Sequence, residues 1–250
     1  TSTTMAVFDG SMVNIALPQI AAALKVSAPA AVWVANGYLL AAAMTLAIFA
    51  ALASRFGFRL LFACGLSLFT AASLGCALSS SLTALTGWRI VQGIGGAATL
   101  SIAPAILRSG FPDRLLGRIL GLPALLIAAS TALAPLLGGT LLAALDWRWL
   151  FAVNLPLGAI ALMLTLRVIP GKKAPQREPF DVAGAWLSAI MLGALIMTAS
   201  TFSRPDKDDG MLFTALAYGA LAITAGGLFV WRQQRAPKPL LPLAMFASRR

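Results

Sequence analysis

Two ionisable side chains, Asp9 and Arg89, stand inside long apolar stretches, and neither has an opposite charge nearby in its own stretch. A charge at the centre of a bilayer helix costs about 2.5–3.5 kcal/mol on the insertion scale. Each therefore needs a partner on another helix or a water-filled cavity. A carboxylate so placed can take up and release a proton. A guanidinium can neutralise it or contact a substrate. The structural alternative for both is a packing ion pair. Other chemistries are excluded. With no His and two Cys, the chain has neither a His or multi-Cys metal site nor a nucleophile–base set for hydrolysis. Cys64 and Cys76 share one apolar run; as one helix they lie about 18 Å apart, too far for a disulfide. The string Gly93-Ile94-Gly95-Gly96-Ala97-Ala98, with Asp113 further on, fits a dinucleotide fingerprint by pattern. That fingerprint requires a strand before the glycines, and these glycines lie within an apolar span.

The elements that must position Asp9 and Arg89 follow from composition. Of 250 residues, 59% are hydrophobic and 11% charged, against roughly 25% charge in soluble domains. A soluble enzyme, a nucleic-acid binder and a disordered tail are poor readings of such a chain. Runs of about 17–25 apolar residues span a bilayer as helices. Eight occur, near 3–24, 33–53, 60–79, 82–106, 119–144, 148–168, 183–202 and 211–231. The first contains Asp9 and lacks a basic leader, so it is not a cleaved signal peptide. The start at Thr1 suggests residues upstream.

Alternating the spans sorts the charges. One side collects Arg55, Arg59, Arg108, Arg114, Arg118, Arg167, Lys172, Lys173, Arg177, Arg232, Arg235, Lys238, Arg249 and Arg250. The other holds Lys25, Arg148, Arg204 and Lys207, balanced by Asp146, Asp206, Asp208 and Asp209. The positive-inside rule makes the first side cytoplasmic, with both ends there. The net charge of +11 is then a topology signal and calls for no nucleic acid. Trp33, Trp147, Trp149, Trp186 and Trp231 lie near span ends, where interfacial anchors are expected.

In the fourth span Arg89 heads a ladder of small residues at every fourth position, Gly93, Ala97, Ser101 and Ala105. The fifth repeats this with Ser130, Ala134 and Gly138, beside the helix-disrupting Pro135. Such faces admit close helix packing or leave room for a cavity.

Several ordered motifs resemble the major facilitator superfamily, in its 14-span drug:proton antiporter branch. Asp9 to Pro18, with Asn14, resembles the first-span signature D-x-T-x-V-N-x-A-L-P, and Trp33 to Tyr38 the start of the second span. Ala50 to Arg59, containing Arg55, Gly57 and Arg59, resembles the loop G-x-L-A-D-R-x-G-R-K. Arg89 with Gln92 and Gly93 resembles the fourth-span motif. Ser130 to Gly139, with Pro135, Gly138 and Gly139, resembles the antiporter motif G-x-x-x-G-P-x-x-G-G. Trp147 to Pro156, with Asn154, resembles the start of the sixth span, and Pro179-Phe180-Asp181 with Gly184 that of the seventh. There are departures: Ser54 replaces the loop acid and Ala50 its leading Gly, while Ser130 and Ala134 replace two glycines.

The resemblance implies an all-α polytopic membrane protein. A six-span transport bundle would cover 1–168, a cytoplasmic loop 169–182, linker spans seven and eight 183–231, and a basic cytoplasmic segment 232–250 would lead to a ninth span. It implies proton-coupled export of small amphiphilic compounds or drugs across the plasma (inner) membrane, with no enzyme activity and no cofactor beyond the proton gradient. Asp9 and Arg89 would couple the proton, and the Pro135 region would be the hinge. Partners would be substrate, proton, lipid bilayer and a missing C-terminal half or another copy. Without that half, the face bearing Asp9 and Arg89 is expected to have no natural partner, so that the chain recruits another copy or a separate second half, or is unstable. Alternatives are an exporter of one metabolite, or a truncated, non-transporting protein acting through helix–helix contacts.

Overall fold

The computed structural model describes residues 2–169, 181–202 and 210–235. Within them lie α1 (Ser2–Leu24), α2 (Ala28–Phe56), α3 (Phe58–Ala77), α4 (Leu82–Gly110), α5 (Asp113–Ala144), α6 (Trp149–Ala152), α7 (Asn154–Val168), α8 (Val182–Phe202) and α9 (Met211–Arg235). No strand occurs among the described residues. Eight helical stretches are long and apolar enough to cross a membrane, α6 and α7 together making the sixth. The chain is an all-α, multi-pass membrane protein. The loop at 170–180, the segment at 203–209 and the basic residues from 236 onward lie outside the described residues, as does the Ser54 side chain.

Two helices start earlier than apolar length alone predicts. α2 starts at Ala28, where Ser27 is extended and Pro29 fits the first turn, a position with no hydrogen bond to lose. α5 starts at Asp113 behind Pro112 and runs 32 residues, about 48 Å at 1.5 Å per residue. That exceeds a hydrocarbon core of about 30 Å, so its charged first turns extend beyond it. Within the sixth span the helical hydrogen-bond ladder lapses at Val153, whose backbone stays helical at φ −57° and ψ −29°. The cause is Pro156, which offers no N–H to the Ala152 carbonyl four residues back and crowds it with its ring.

α4 packs along both α2 and α3, α1 along α5, and α3 along α7. α8 pairs with α9 and lies on α2. Two glycines of α4 set the spacing. A side chain at Gly93 would collide with the Tyr38 carbonyl of α2, and one at Gly95 would come 2.5 Å from the Phe69 nitrogen of α3. The fingerprint-like glycines are therefore packing surface. The fourth-span ladder is tight at Gly93 and fully buried at Ala97, and loosens at Ser101 and Ala105. On α5, Ser130, Ala134 and Gly138 are buried, and Gly138 lies against Met12 and Ile15 of α1. The Pro135 ring is exposed beside this face, and α5 continues helical through it.

One expected interfacial anchor is in the core. Trp147 is 2% exposed and meets Phe151 edge to face, at 6.1 Å between ring centroids. The turn at Asp146–Arg148 folds it inward, and Arg148 stacks on its ring at 4.7 Å. Trp149, Trp186 and Trp231 are exposed. Both cysteines are free, Cys64 exposed and Cys76 buried.

Candidate functional site: a buried carboxylate cluster

The packing face of α1 runs through Met5, Asp9, Met12, Val13, Ala16 and Ile20, all buried. Their three- and four-residue spacing is that of one helix face. Asp9 therefore occupies a core position and points into the bundle. On α4 the corresponding face is Leu85, Arg89, Gln92 and Gly96. Where the two faces meet, Arg89 Nη1 donates to Asp9 Oδ2 at 2.5 Å. Asp9 is 2% exposed and Arg89 1%. The expectation that the face bearing these charges has no partner without a second half is thus corrected. They neutralise one another inside the chain's own bundle, with no second half required.

The pair sits in a shell of polar and aromatic groups. Arg89 Nη1 also donates to Gln92 Oε1 at 2.6 Å, and Arg89 Nε to the Val34 carbonyl of α2 at 3.1 Å. Its guanidinium carbon lies 4.3 Å from the ring centroid of Tyr38 and 5.7 Å from that of Phe151, a range in which cation and π-face attract. Gln92 Nε2 donates to Asp9 Oδ1 at 3.2 Å and to Ser73 Oγ of α3 at 2.8 Å. Asn154 Nδ2, at the first residue of α7, donates to Asp9 Oδ1 at 2.6 Å. Ser73 Oγ in turn donates to the Phe69 carbonyl at 2.8 Å. Both carboxylate oxygens are thus bonded, and α1, α2, α3, α4 and α7 are tied through one buried charge pair. Buried charges persist when paired and hydrogen-bonded in this way.

Protonating Asp9 would remove its negative charge and weaken its hold on Arg89. Arg89 would keep Val34, Gln92 and the two rings. The cation would therefore stay seated without Asp9's charge.

Asp9, Arg89 and Gln92 are brought together, and Gly93 lies one residue beyond Gln92 against α2. Other motif residues lie elsewhere. Asn14 and Pro18 are exposed on the other face of α1. Gly57 alone joins α2 to α3, at φ 88°. Arg55 lies over the Phe56 ring, and Arg59 Nη2 donates to the Leu166 carbonyl near the end of α7 at 2.5 Å. Pro135, Gly138 and Gly139 lie on α5. Asn154, Ser73, Tyr38 and Phe151 were not singled out as site residues. Of these, Asn154 carried a usable signal: a polar residue two positions before a proline in an apolar run.

The sequence profile described as Major Facilitator Superfamily matches residues 1–247. The chain belongs to the major facilitator superfamily. Its place is thus among membrane transporters rather than enzymes. Among major facilitator relatives, it is 39% identical to the uncharacterized transporter YebQ of Escherichia coli, over 96% of the chain and 52% of that protein. It is 36% identical to the tetracenomycin C resistance and export protein of Streptomyces glaucescens, over 98% of the chain and 45% of that protein. With the methylenomycin A resistance protein of Bacillus subtilis it shares 32% identity, over 98% of the chain and 52% of that protein. The chain spans about half the length of the curated relatives it matches.

Proposed function

We propose that this chain carries the proton-coupling site of an exporter of small amphiphilic compounds in the plasma (inner) membrane, with both ends cytoplasmic. The observation that carries the reading is the sealed Asp9 carboxylate, held by Arg89, Gln92 and Asn154 from two other spans. Proton entry from outside neutralises Asp9, loosens the α1–α4 attachment and biases the bundle toward another arrangement. Proton release restores it. Export is supported by the names of the tetracenomycin C and methylenomycin A relatives. Orientation is supported by the crowding of Arg and Lys on one side of the spans. The second half, or another copy, completes the substrate path, since carriers built of paired repeats place their sites between them.

The test is efflux of a cationic dye from membranes holding the protein expressed from its complete reading frame. Asp9→Asn keeps the size and bonding capacity of the side chain but cannot gain and lose a proton near neutral pH. Gradient-driven export should fall about tenfold or more, a loss of 1.4 kcal/mol or more in effective coupling, with the amount of inserted protein unchanged. Full export by this variant would make Asp9 a packing residue.

A further inference from the structure

We propose that Asn154 is the positioning residue for Asp9, holding it in both of its charge states and linking its proton to the seating of span six. The inference rests on the proton-coupling role of Asp9 proposed above. It starts from a difference among the three side chains that bond the carboxylate. Arg89 is a donor only, so a protonated Asp9 cannot donate to it. Gln92 carries an acceptor, but its Oε1 already takes the 2.6 Å bond from Arg89 Nη1, and its amide nitrogen is engaged by Ser73 Oγ at 2.8 Å. Asn154 has one of each, an amide N–H group and a carbonyl oxygen, on a single rotatable bond.

The consequence is a reversible proton step with a fixed partner. In the charged state Asn154 Nδ2 donates to Asp9 Oδ1 at 2.6 Å. A transient opening of the sealed cluster then admits a hydronium ion, which gives its proton to Oδ1 and leaves as water, forming one O–H bond and neutralising the carboxylate. A half-turn of the Asn154 amide presents Oδ1 of the asparagine, which accepts the new Asp9 O–H. Reversal returns the proton to water and the amide to its first orientation. The other titratable groups facing Asp9 are Arg89 on α4, Tyr38 on α2 and Cys76 on α3. The charged positions of α5 and α7, Asp113, Arg114, Arg118 and Arg167, lie at or beside the far ends of those helices.

The location of Asn154 supplies the link to span six. It is the first residue of α7, directly after the break at Val153, and it is 4% exposed. It lies where the helical ladder lacks the bond that Pro156 cannot make, and its side chain is the hydrogen bond from α7 to the Asp9 carboxylate. A change in that bond is therefore placed where span six is least constrained by its own helical hydrogen bonds.

Two transport modes separate this role from a structural one: gradient-driven efflux needs net proton turnover, and substrate counterflow at equal pH does not. In the protein expressed from its complete reading frame, Asn154→Leu can neither donate nor accept. It should lose driven efflux about tenfold or more, while counterflow stays within about twofold of the unmodified protein. Asn154→Ser, whose hydroxyl does both, should recover driven efflux to within about threefold. If the leucine variant does not reach the membrane, Asn154→Ala is measured in its place with the same expectations. Driven efflux kept by the leucine or alanine variant overturns the proposal. So does loss of both modes without rescue by serine. Asp9→Asn in the same assay distinguishes the two levels: if it retains driven efflux, the proton-coupling reading itself fails. If it loses driven efflux while Asn154→Leu does not, only the role of Asn154 fails.

Discussion

At the residue scale, a charge pair sealed from water makes each partner depend on the other. Arg89→Ala would leave the Asp9 carboxylate buried without its cation. Breaking a buried pair from one side costs about 3–5 kcal/mol, so this variant should melt well below the unmodified protein in detergent. An unchanged melting temperature would mean that water reaches Asp9. Arg89→Lys is a finer substitution. Lysine keeps the charge but has one nitrogen, and cannot serve Asp9, Gln92 and Val34 from a planar fork set against Tyr38 and Phe151. It should insert normally and lose driven export by about tenfold; dye efflux at matched protein amounts measures this. Asp9 and Arg89 were legible in the sequence because an isolated charge in an apolar run has few harmless explanations. Gln92 was legible through its motif. Ser73 and Tyr38 were not, since a serine or tyrosine within a span is ordinary until the crossing of helices shows what it faces.

At the element scale, two glycines carry the arrangement, for different reasons. At Gly95 the limit is space: the α3 backbone at Phe69 occupies the place of a side chain. Gly95→Val should push α4 from α3 and pull Gln92 away from Ser73, and size-exclusion chromatography should show aggregation where the parent elutes as a single peak. At Gly57 the limit is the backbone. A single residue at φ 88° turns α2 into α3, in a region that costs an L-residue about 1–3 kcal/mol. Gly57→Ala should lower thermal stability by that amount and leave the Asp9 cluster intact; no loss of stability would mean that the joint relaxes freely. The spans themselves were largely legible, because hydrocarbon thickness sets a length that composition reveals. Their starts were less so. α2 and α5 begin ahead of the apolar runs because Pro29 and Pro112 govern helix initiation independently of hydrophobicity. The break at Val153 was hidden for the converse reason: Pro156 interrupts hydrogen bonding without interrupting the apolar pattern.

At the scale of the whole molecule, the internal pairing of Asp9 and Arg89 alters what the 250-residue chain should do by itself. Its costliest charges are already matched, so insertion and folding are expected to proceed without a second half. Transport is still expected to need it, because among the described residues α5 is left largely uncovered. The chain alone, reconstituted in vesicles, should be folded by circular dichroism yet show no proton-driven dye flux; robust flux would mean that copies assemble a full path. Orientation has its own test. Ser80, just before α4, and Gly110, its last residue, are exposed at opposite ends of that helix, whereas Cys76 is buried and makes a poor reporter. A membrane-impermeant thiol reagent added outside cells should label Ser80→Cys and spare Gly110→Cys. The reverse pattern would invert the topology drawn from the charges.

The α8–α9 hairpin is fastened differently from the rest. Asp181 receives the Gly184 N–H at 3.0 Å and pairs with Arg232 at 2.6 Å, closing the hairpin on itself. It meets the bundle along α2, where Gly193 lies against Met44. None of the side chains bonded to Asp9 belongs to it. A pair of spans attached in this manner could be gained or shed without touching the bonds to Asp9. Descent could then vary the number of membrane crossings while the inherited chemistry inside the bundle stayed as it was.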